Sequence, residues 1–269
     1  MPQLQYSSSD NSQRVVSNDD VNIIYEKIKV WFENVGLEIH YFKISWYNQV
    51  VASEYRLSYH PDTLAFVIIS KPCMFEKAFL PFLSEMMKST DIETSSDPLD
   101  KCMIYNFQLL KKKLYDEIGL IVETIHDFEL IMPYRRPKIL LQTAAHVSGS
   151  AYYYKIQNAK QKLGVCIHPL YGGWFGIRGA FICHQLLAPD LIQRPSLDIV
   201  PPEKQIELLH LFNNCWKDMS YRNIIPVKER YSPMQIEYFR LKPKERFEYI
   251  RSTILPSIER NGYNGNCHI

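Results

Sequence analysis

The sequence predicts an α+β domain in which a central, mainly antiparallel sheet is flanked by helices. Two observations lead there. Apolar residues recur alternately at helical spacing and in short strand-like runs, and these segments follow one another in mixed order rather than as regular strand–helix–strand units. At 269 residues, with 46% hydrophobic side chains and neither an internal repeat nor a low-complexity linker, the chain can bury one large core.

Residues 1–20 are polar and Ser-rich, which predicts a mobile tail and not a secretory signal. Val21, Ile24, Ile28, Trp31 and Val35 recur at helical spacing, with Asp19 and Asp20 before them and Gly36 after them, so a first helix is expected there. Residues 37–47 read as a strand and 64–70 as a buried one. Residues 75–88 have helical spacing, with Pro81 expected to bend or interrupt the helix. Asp97-Pro98 supplies an N-cap followed by proline at the first helical position, opening a helix towards Tyr115. Residues 120–130 return to strand, and Pro137 predicts the start of a helix running through His146 to Tyr154. Residues 164–168 and 174–183 are expected to pair across a Gly172-Gly173 turn. Helices are expected over 202–219, 232–241 and 243–255, which leaves 21–255 as a single domain and 256–269 as a tail.

Composition removes several function classes. The formal net charge is +2 and no run of Lys and Arg exceeds Lys111-Lys112-Lys113, which argues against a nucleic-acid footprint. Apolar runs such as 64–69 are too short to span a bilayer. The six cysteines, at 73, 102, 166, 183, 215 and 267, form no Cys-x-x-Cys pair, so reduced thiols in a cytoplasmic protein are expected. Walker, Gly-x-Ser-x-Gly and His-Glu-x-x-His motifs are all missing from the sequence.

The chemistry concentrates in two blocks, RRPKILLQTAAHVSGSAYYY at 135–154 and GVCIHPLYGGWFGIRG at 164–179. Consecutive tyrosines cannot all enter one core, because successive side chains point in different directions. Some of these rings are therefore expected to line a site. Cys166 and His168 would share a strand face and could hold a metal, but no second pair lies nearby in sequence. No protein-held metal is expected. His146 sits among small residues, the usual setting of a packed, hydrogen-bonded histidine. Gly173, Gly176 and Gly179 lack a strand-to-helix context and read as close strand packing. Arg178, Arg222 and Arg246 lie in separate segments. Guanidinium forks grip carboxylates through paired hydrogen bonds, so their convergence would suit a small polycarboxylate.

Ser45-Trp46-Tyr47-Asn48, PDTLAF at 61–66, Asp97-Pro98-Leu99-Asp100, both long blocks and Glu229-Arg230-Tyr231-Ser232 together resemble the CblC (MMACHC) family of cobalamin-processing proteins. The resemblance runs from about residue 21 to residue 247. It implies a flavin nitroreductase-like fold adapted to a corrinoid. It also implies two activities, glutathione-dependent dealkylation of alkylcobalamins and reductive decyanation of cyanocobalamin, with electrons from thiol or reduced flavin (FAD or FMN). Cobalamin is expected to bind base-off, with its dimethylbenzimidazole tail in a pocket away from cobalt. The product would pass to a CblD-type trafficking partner for coenzyme synthesis. The chain would be cytoplasmic and either a monomer or a ligand-dependent homodimer. A non-catalytic cobalamin chaperone and a flavin oxidoreductase of another small molecule are the alternatives.

By matching positions, the resemblance implies cobalamin contacts at Asp127, Ile139, Leu140, Leu141, Gln142, His146, Tyr153, Tyr154, Lys155, Cys166 and Ile177. It implies a glutathione site at Arg178, Arg222 and Arg246, and no protein nucleophile. Lys155 falls where the mammalian form has glutamine. His146 and Gly149 fit the Asp-x-His-x-x-Gly loop that presents histidine to cobalt in other cobalamin enzymes, but Ala144 stands where the aspartate belongs. The orienting carboxylate is missing, so lower axial ligation by His146 is not expected.

Overall fold

The computed structural model describes residues 13–88, 97–155 and 163–261. Its strands are β1 (Arg14–Val15), β2 (Leu37–Lys43), β3 (Thr63–Ser70), β4 (Glu123–His126), β5 (Leu130–Ile131), β6 (Arg136–Pro137), β7 (Tyr152–Tyr154), β8 (Val165–Ile167) and β9 (Gly176–Leu187). The helices are α1 (Asn18–Asn34), α2 (Ile44–Val50), α3 (Leu80–Lys88), α4 (Pro98–Ile118), α5 (Leu141–Val147), α6 (Pro202–Asn214), α7 (Pro233–Arg240), α8 (Pro243–Tyr249) and α9 (Leu255–Asn261). No described helix is long and apolar enough to cross a membrane.

Antiparallel pairing of β2, β3 and β9 forms the centre of the main sheet. The far edge of β9 takes β4 antiparallel and β1 parallel, so the α+β class holds with a mainly antiparallel sheet. Every position of β3 is buried, which explains its continuous apolar run: both faces of a central strand are covered. Leu64, Phe66 and Ile68 pack with Ile28, Phe32 and Phe107 from α1 and α4. Ala65, Val67 and Ile69 share the opposite core with Tyr47 of α2 and Ala144 of α5.

Several expected elements are redrawn. The strand foreseen over 37–47 stops at Lys43, and α2 follows. Tyr47, on that helix, accepts the Leu140 N–H at 2.9 Å and so anchors the entry to α5. The helix expected over 75–88 divides into a π turn, Phe75–Phe79, and α3. The wide turn falls just before Pro81, which has no N–H to donate.

Pro137 does not open a helix; it pairs with Leu130 in β6. The helix is confined to α5, and Gly149 follows its C-terminus at φ +79°, where an added Cβ would lie 2.6 Å from the Arg194 carbonyl oxygen. Residues 152–154 then form β7 and pair with β8. The expected hairpin between 164–168 and 174–183 is therefore not formed, because β8 pairs with β7 and β9 with β3 and β4. Gly172 still turns the chain, exchanging backbone hydrogen bonds with His168 at 2.8 and 2.9 Å.

The helix expected over 202–219 ends at Asn214 and gives way to two 3-10 turns. The last expected helix is interrupted by a π turn at Ile250–Ile254 and continues beyond 255 to Asn261. At the other end, β1 joins the sheet and Ser17 caps α1, exchanging bonds with Asp20 at 2.9 and 3.1 Å. The ordered core thus reaches into both segments expected to be tails, while residues 1–12 and 262–269 lie outside the described residues.

Candidate functional site

A cavity of about 390 Å³ opens where the approach to α5, strand β8 and the start of β9 meet. Pro137 and Ile139–Gln142 form one wall; Gly164, Val165 and Cys166 form another; Gly173, Phe175, Gly176 and Ile177 form a third. Asp127, just after β4, contributes a carboxylate, and Phe212, Tyr221 and Arg222 close over it from the C-terminal third. Asp127, Ile139, Leu140, Leu141, Gln142, Cys166 and Ile177, implied as cobalamin contacts, and Arg222, implied for the glutathione site, all line this cavity. Sequence reasoning missed Phe175, Phe212 and Tyr221. Phe175 lies inside the second dense block and could have been found there; Phe212 and Tyr221 carry no signal in the pattern around them.

The walls are apolar and chemically quiet. Burial pushes the Cys166 thiol far above its ordinary pKa, and its Sγ donates to the Gln142 carbonyl at 3.5 Å. A neutral thiol is neither a nucleophile nor a good metal ligand.

Of the other implied cobalamin residues, none lines this cavity. Tyr153 is the neighbour of Cys166 across β7–β8, with the Lys155 ammonium 5.8 Å from its ring centroid. Tyr154 turns the other way: its hydroxyl donates to Asp198 at 2.7 Å and accepts the Ile199 and Val200 amides at 3.1 and 2.9 Å. His146 Nδ1 lies 3.3 Å from the Tyr153 N–H and 2.7 Å from Ser196 Oγ. A backbone N–H can only donate, so Nδ1 accepts and the ring proton sits on Nε2. Burial, and then Lys155, lower the His146 pKa, which keeps the ring neutral. His146 thereby ties α5, β7 and the 194–200 segment together.

Arg178 owes its position to a bulge. Ile68 pairs with Gly179 and Ile69 with Ile177, leaving Arg178 as the extra residue of β9, and such a bulge re-aims a side chain. Its Nε donates to Ser70 Oγ at 3.0 Å, and its guanidinium lies 3.7 Å from the Asp127 carboxylate. Gly176 leaves room for that guanidinium: a Cβ there would sit 2.9 Å from Arg178 Cζ. Burial raises the Asp127 pKa, and Arg178 opposes the rise.

Arg222 is caged by the rings of Trp174, Tyr221 and Tyr231, with centroids 5.8, 5.1 and 4.9 Å away. It also donates to the carbonyls of Gly173 and Phe175. Arg246 pairs with Asp97 and stands 5.0 Å from the Tyr238 ring centroid. The three arginines thus have separate partners: Arg178 is held by Asp127 and Ser70, Arg246 by Asp97, and Arg222 by the Gly173 and Phe175 carbonyls in the cavity wall.

The possible metal pairing of Cys166 with His168 is replaced by another grouping. His168 lies beside Glu38 and His40, with potential ligand atoms all within 4.8 Å. Its Nδ1 accepts the Leu170 N–H at 3.1 Å, so Nε2 carries the proton and has no lone pair to offer. Nε2 is 3.8 Å from Glu38. The three side chains form an acid–base cluster in which only His168 is buried, and the ring centroid of Phe175 is 5.6 Å from that of His168.

Comparison with known proteins identifies the family. The model of the methylmalonic aciduria and homocystinuria type C family, MMACHC, matches residues 36–250. A Gallus gallus relative, a cyanocobalamin reductase / alkylcobalamin dealkylase, is 44% identical over 227 residues, covering 81% of this chain and 92% of the relative. The Homo sapiens protein of the same name is 41% identical over 219 residues, covering 78% and 75%. The crystal structure of a Caenorhabditis elegans B12-trafficking protein CblC, a human MMACHC homologue, superposes with a TM-score of 0.74 at 30% identity, covering 84% of this chain and 95% of that one. The chain belongs to the methylmalonic aciduria and homocystinuria type C family.

Proposed function

We propose that this chain binds cobalamin base-off at the cavity bounded by α5, β8 and β9 and removes its upper axial ligand. The activities are glutathione-dependent dealkylation of alkylcobalamins and reductive decyanation of cyanocobalamin. The observation that carries the reading is the cavity itself, built from the two dense sequence blocks, with Arg222 in its wall and Arg178 beside Ile177. The named relatives support the same chemistry.

In the dealkylation, the thiolate sulfur forms a bond to the alkyl carbon, and the carbon–cobalt bond breaks with both electrons left on cobalt. Cob(I)alamin prefers no axial ligand. A site that keeps every lower donor away therefore stabilises the leaving group as the bond breaks, more than it stabilises the substrate. The neutral Cys166 thiol and the Nε2-protonated His146 ring offer cobalt no donor. Arg178, Arg222 and Arg246 would grip the carboxylates of glutathione, and their positive field would lower its thiol pKa. The protein contributes orientation and electrostatics and no nucleophile of its own.

In the decyanation, one electron reduces cobalt and cyanide departs. Reduced flavin, FAD or FMN, supplies that electron when bound. The apolar walls of Ile139, Phe175 and Ile177, together with Gln142, suit an isoalloxazine as they suit a corrin edge. The reading extends to a flavin nitroreductase-like ancestry, a cytoplasmic setting, a CblD-type partner and a homodimer that forms with ligand. Tyr153, His146 and Lys155 would border the corrin from β7, α5 and the residue after β7, while Tyr154, turned the other way, braces the 198–200 segment.

Base-off binding is tested by the EPR spectrum of cob(II)alamin added to the protein. The expected spectrum lacks nitrogen superhyperfine splitting. Splitting from the dimethylbenzimidazole or from a histidine would contradict the reading.

A further inference from the structure

We propose that Tyr231 is a positioning residue of the thiol site: it fixes the Arg222 guanidinium in the cavity wall and leaves its charge for an anionic group of the co-substrate. This rests on reading Arg222 as part of that site. The three arginines differ in how they are held. Arg178 faces the Asp127 carboxylate and Arg246 pairs with Asp97. Arg222 pairs with no carboxylate among the described residues; rings and backbone carbonyls hold it instead. A carboxylate partner spends an arginine's charge, whereas a ring face or a neutral carbonyl orients the cation without neutralising it.

The hydrogen bonds that anchor the guanidinium all fall on Nη1, which donates to the Gly173 and Phe175 carbonyls and, at 3.3 Å, to the Tyr231 hydroxyl. Nη2 makes no bond among the described residues. The Tyr231 ring also lies nearest to the guanidinium, its centroid 4.9 Å from Arg222 Cζ. Unlike Tyr221, it does not line the cavity, so any effect on a ligand there passes through Arg222. Tyr231 is itself fixed. It is buried, its ring meets that of Trp174 edge-on at 5.4 Å, and it packs on Phe239 at 5.5 Å. The next residue, Ser232, caps α7 by accepting the Gln235 N–H at 3.2 Å, which pins the chain just beyond the ring. In the motif Glu229-Arg230-Tyr231-Ser232, none of whose residues lines the cavity, the serine thus holds the helix and the tyrosine holds the arginine.

The test is a double-mutant cycle in methylcobalamin demethylation, with Tyr231→Leu and Arg222→Ala made singly and together. Leucine keeps apolar bulk and removes the ring face and the hydroxyl. Tyr231→Leu should raise the half-saturating glutathione concentration by about 5- to 30-fold, as expected for one desolvated cation–π contact. The rate at saturating glutathione and the cobalamin affinity should change by less than about twofold, because the perturbed contact lies outside the corrin wall. Tyr231→Phe keeps the ring and should raise the glutathione requirement by only about two- to threefold, since its hydroxyl is one of three acceptors sharing Nη1. In the Arg222→Ala protein, Tyr231→Leu should have no further effect on that requirement. A lower Tm with parental glutathione dependence would mark the ring as packing alone and overturn the proposal. An equal effect of Tyr231→Leu with and without Arg222 would overturn it too. If Tyr231→Leu does not fold, Tyr231→Phe enters the same cycle, where a rise that persists without Arg222, or no rise at all, overturns it. Arg222→Ala separates the two levels of the argument. If it leaves the glutathione requirement unchanged, the thiol-site reading fails and the proposal with it. If it raises that requirement while Tyr231→Leu does not, the positioning assignment alone fails.

Discussion

Replacing Tyr154 by phenylalanine separates the packing and binding roles of the tyrosine run. The ring remains buried, and only the hydroxyl is lost. That hydroxyl uses its full capacity, donating to Asp198 at 2.7 Å and accepting the Ile199 and Val200 amides at 3.1 and 2.9 Å. A hydrogen bond to an ionised carboxylate contributes about 1.5–3 kcal/mol, and stranding a buried N–H costs about 1–3 kcal/mol. Val200 is 2% exposed, so water cannot readily replace the lost acceptor. Asp198 and Ile199 can turn to solvent, which lowers the summed loss to about 2–5 kcal/mol. At roughly 2–4 °C per kcal/mol for a chain of this size, Tm should fall by about 4–20 °C. Circular dichroism melts give this number, and fluorescence quenching by cobalamin gives the affinity of the folded variant. Tyr153→Ala should do the reverse, weakening corrinoid binding more than stability, because its ring lies beside Cys166. A Tm for Tyr154→Phe within about 2 °C of the parent would refute the hydrogen-bond reasoning. A folded Tyr153→Ala protein of parental affinity would return that ring to core packing.

Two further perturbations follow from the same geometry. Gly176→Ala places a Cβ in the cavity wall against the far end of the Arg178 side chain; Tm should hold, and the glutathione requirement of demethylation should rise several-fold, by more than cobalamin affinity falls. Burial lowers the His168 pKa from 6.5 to about 4, so between those values the unfolded chain binds a proton that the folded chain does not. Stability should therefore fall as pH drops from about 6.5 towards 4, by up to about 3 kcal/mol. Denaturant titrations at each pH should show this slope, and His168→Asn, which keeps an acceptor for the Leu170 amide, should flatten it.

Local signals in the sequence were strong enough to define α1, β3 and the start of α4. Asp19 and Asp20 lie in the first turn of α1, β3 is buried on both faces, and Asp97-Pro98 caps the helix as its spelling suggests. Pairing was not legible in the same way. Residues 164–168 and 174–183 look like two halves of a hairpin, yet their partners are 152–154 and the central sheet. Register between distant segments is set by which apolar face meets which, and no short window contains that choice. The helical appearance of 137–154 fails for a related reason: Gly149 must pass the Arg194 backbone at positive φ, a contact between segments far apart in sequence. At the site, the cavity wall at 139–142, Cys166 and Ile177 follows from the dense blocks. Phe212 and Tyr221 arrive only through the packing of the C-terminal third. The bulge that aims Arg178 is likewise a property of the β3–β9 ladder rather than of the Gly-Ile-Arg-Gly run itself.

Methyl transfer is the step on which the whole account turns. A single-turnover mixture of the protein, methylcobalamin carrying a ¹³C-methyl group, and excess glutathione under anaerobic conditions follows it directly. The account predicts that the label moves to sulfur as S-methylglutathione, in step with the appearance of the cob(I)alamin absorbance, with no label on the protein. Tight corrinoid binding with the ¹³C-methyl group still on cobalt would contradict it and leave a carrier of cobalamin in place of an enzyme.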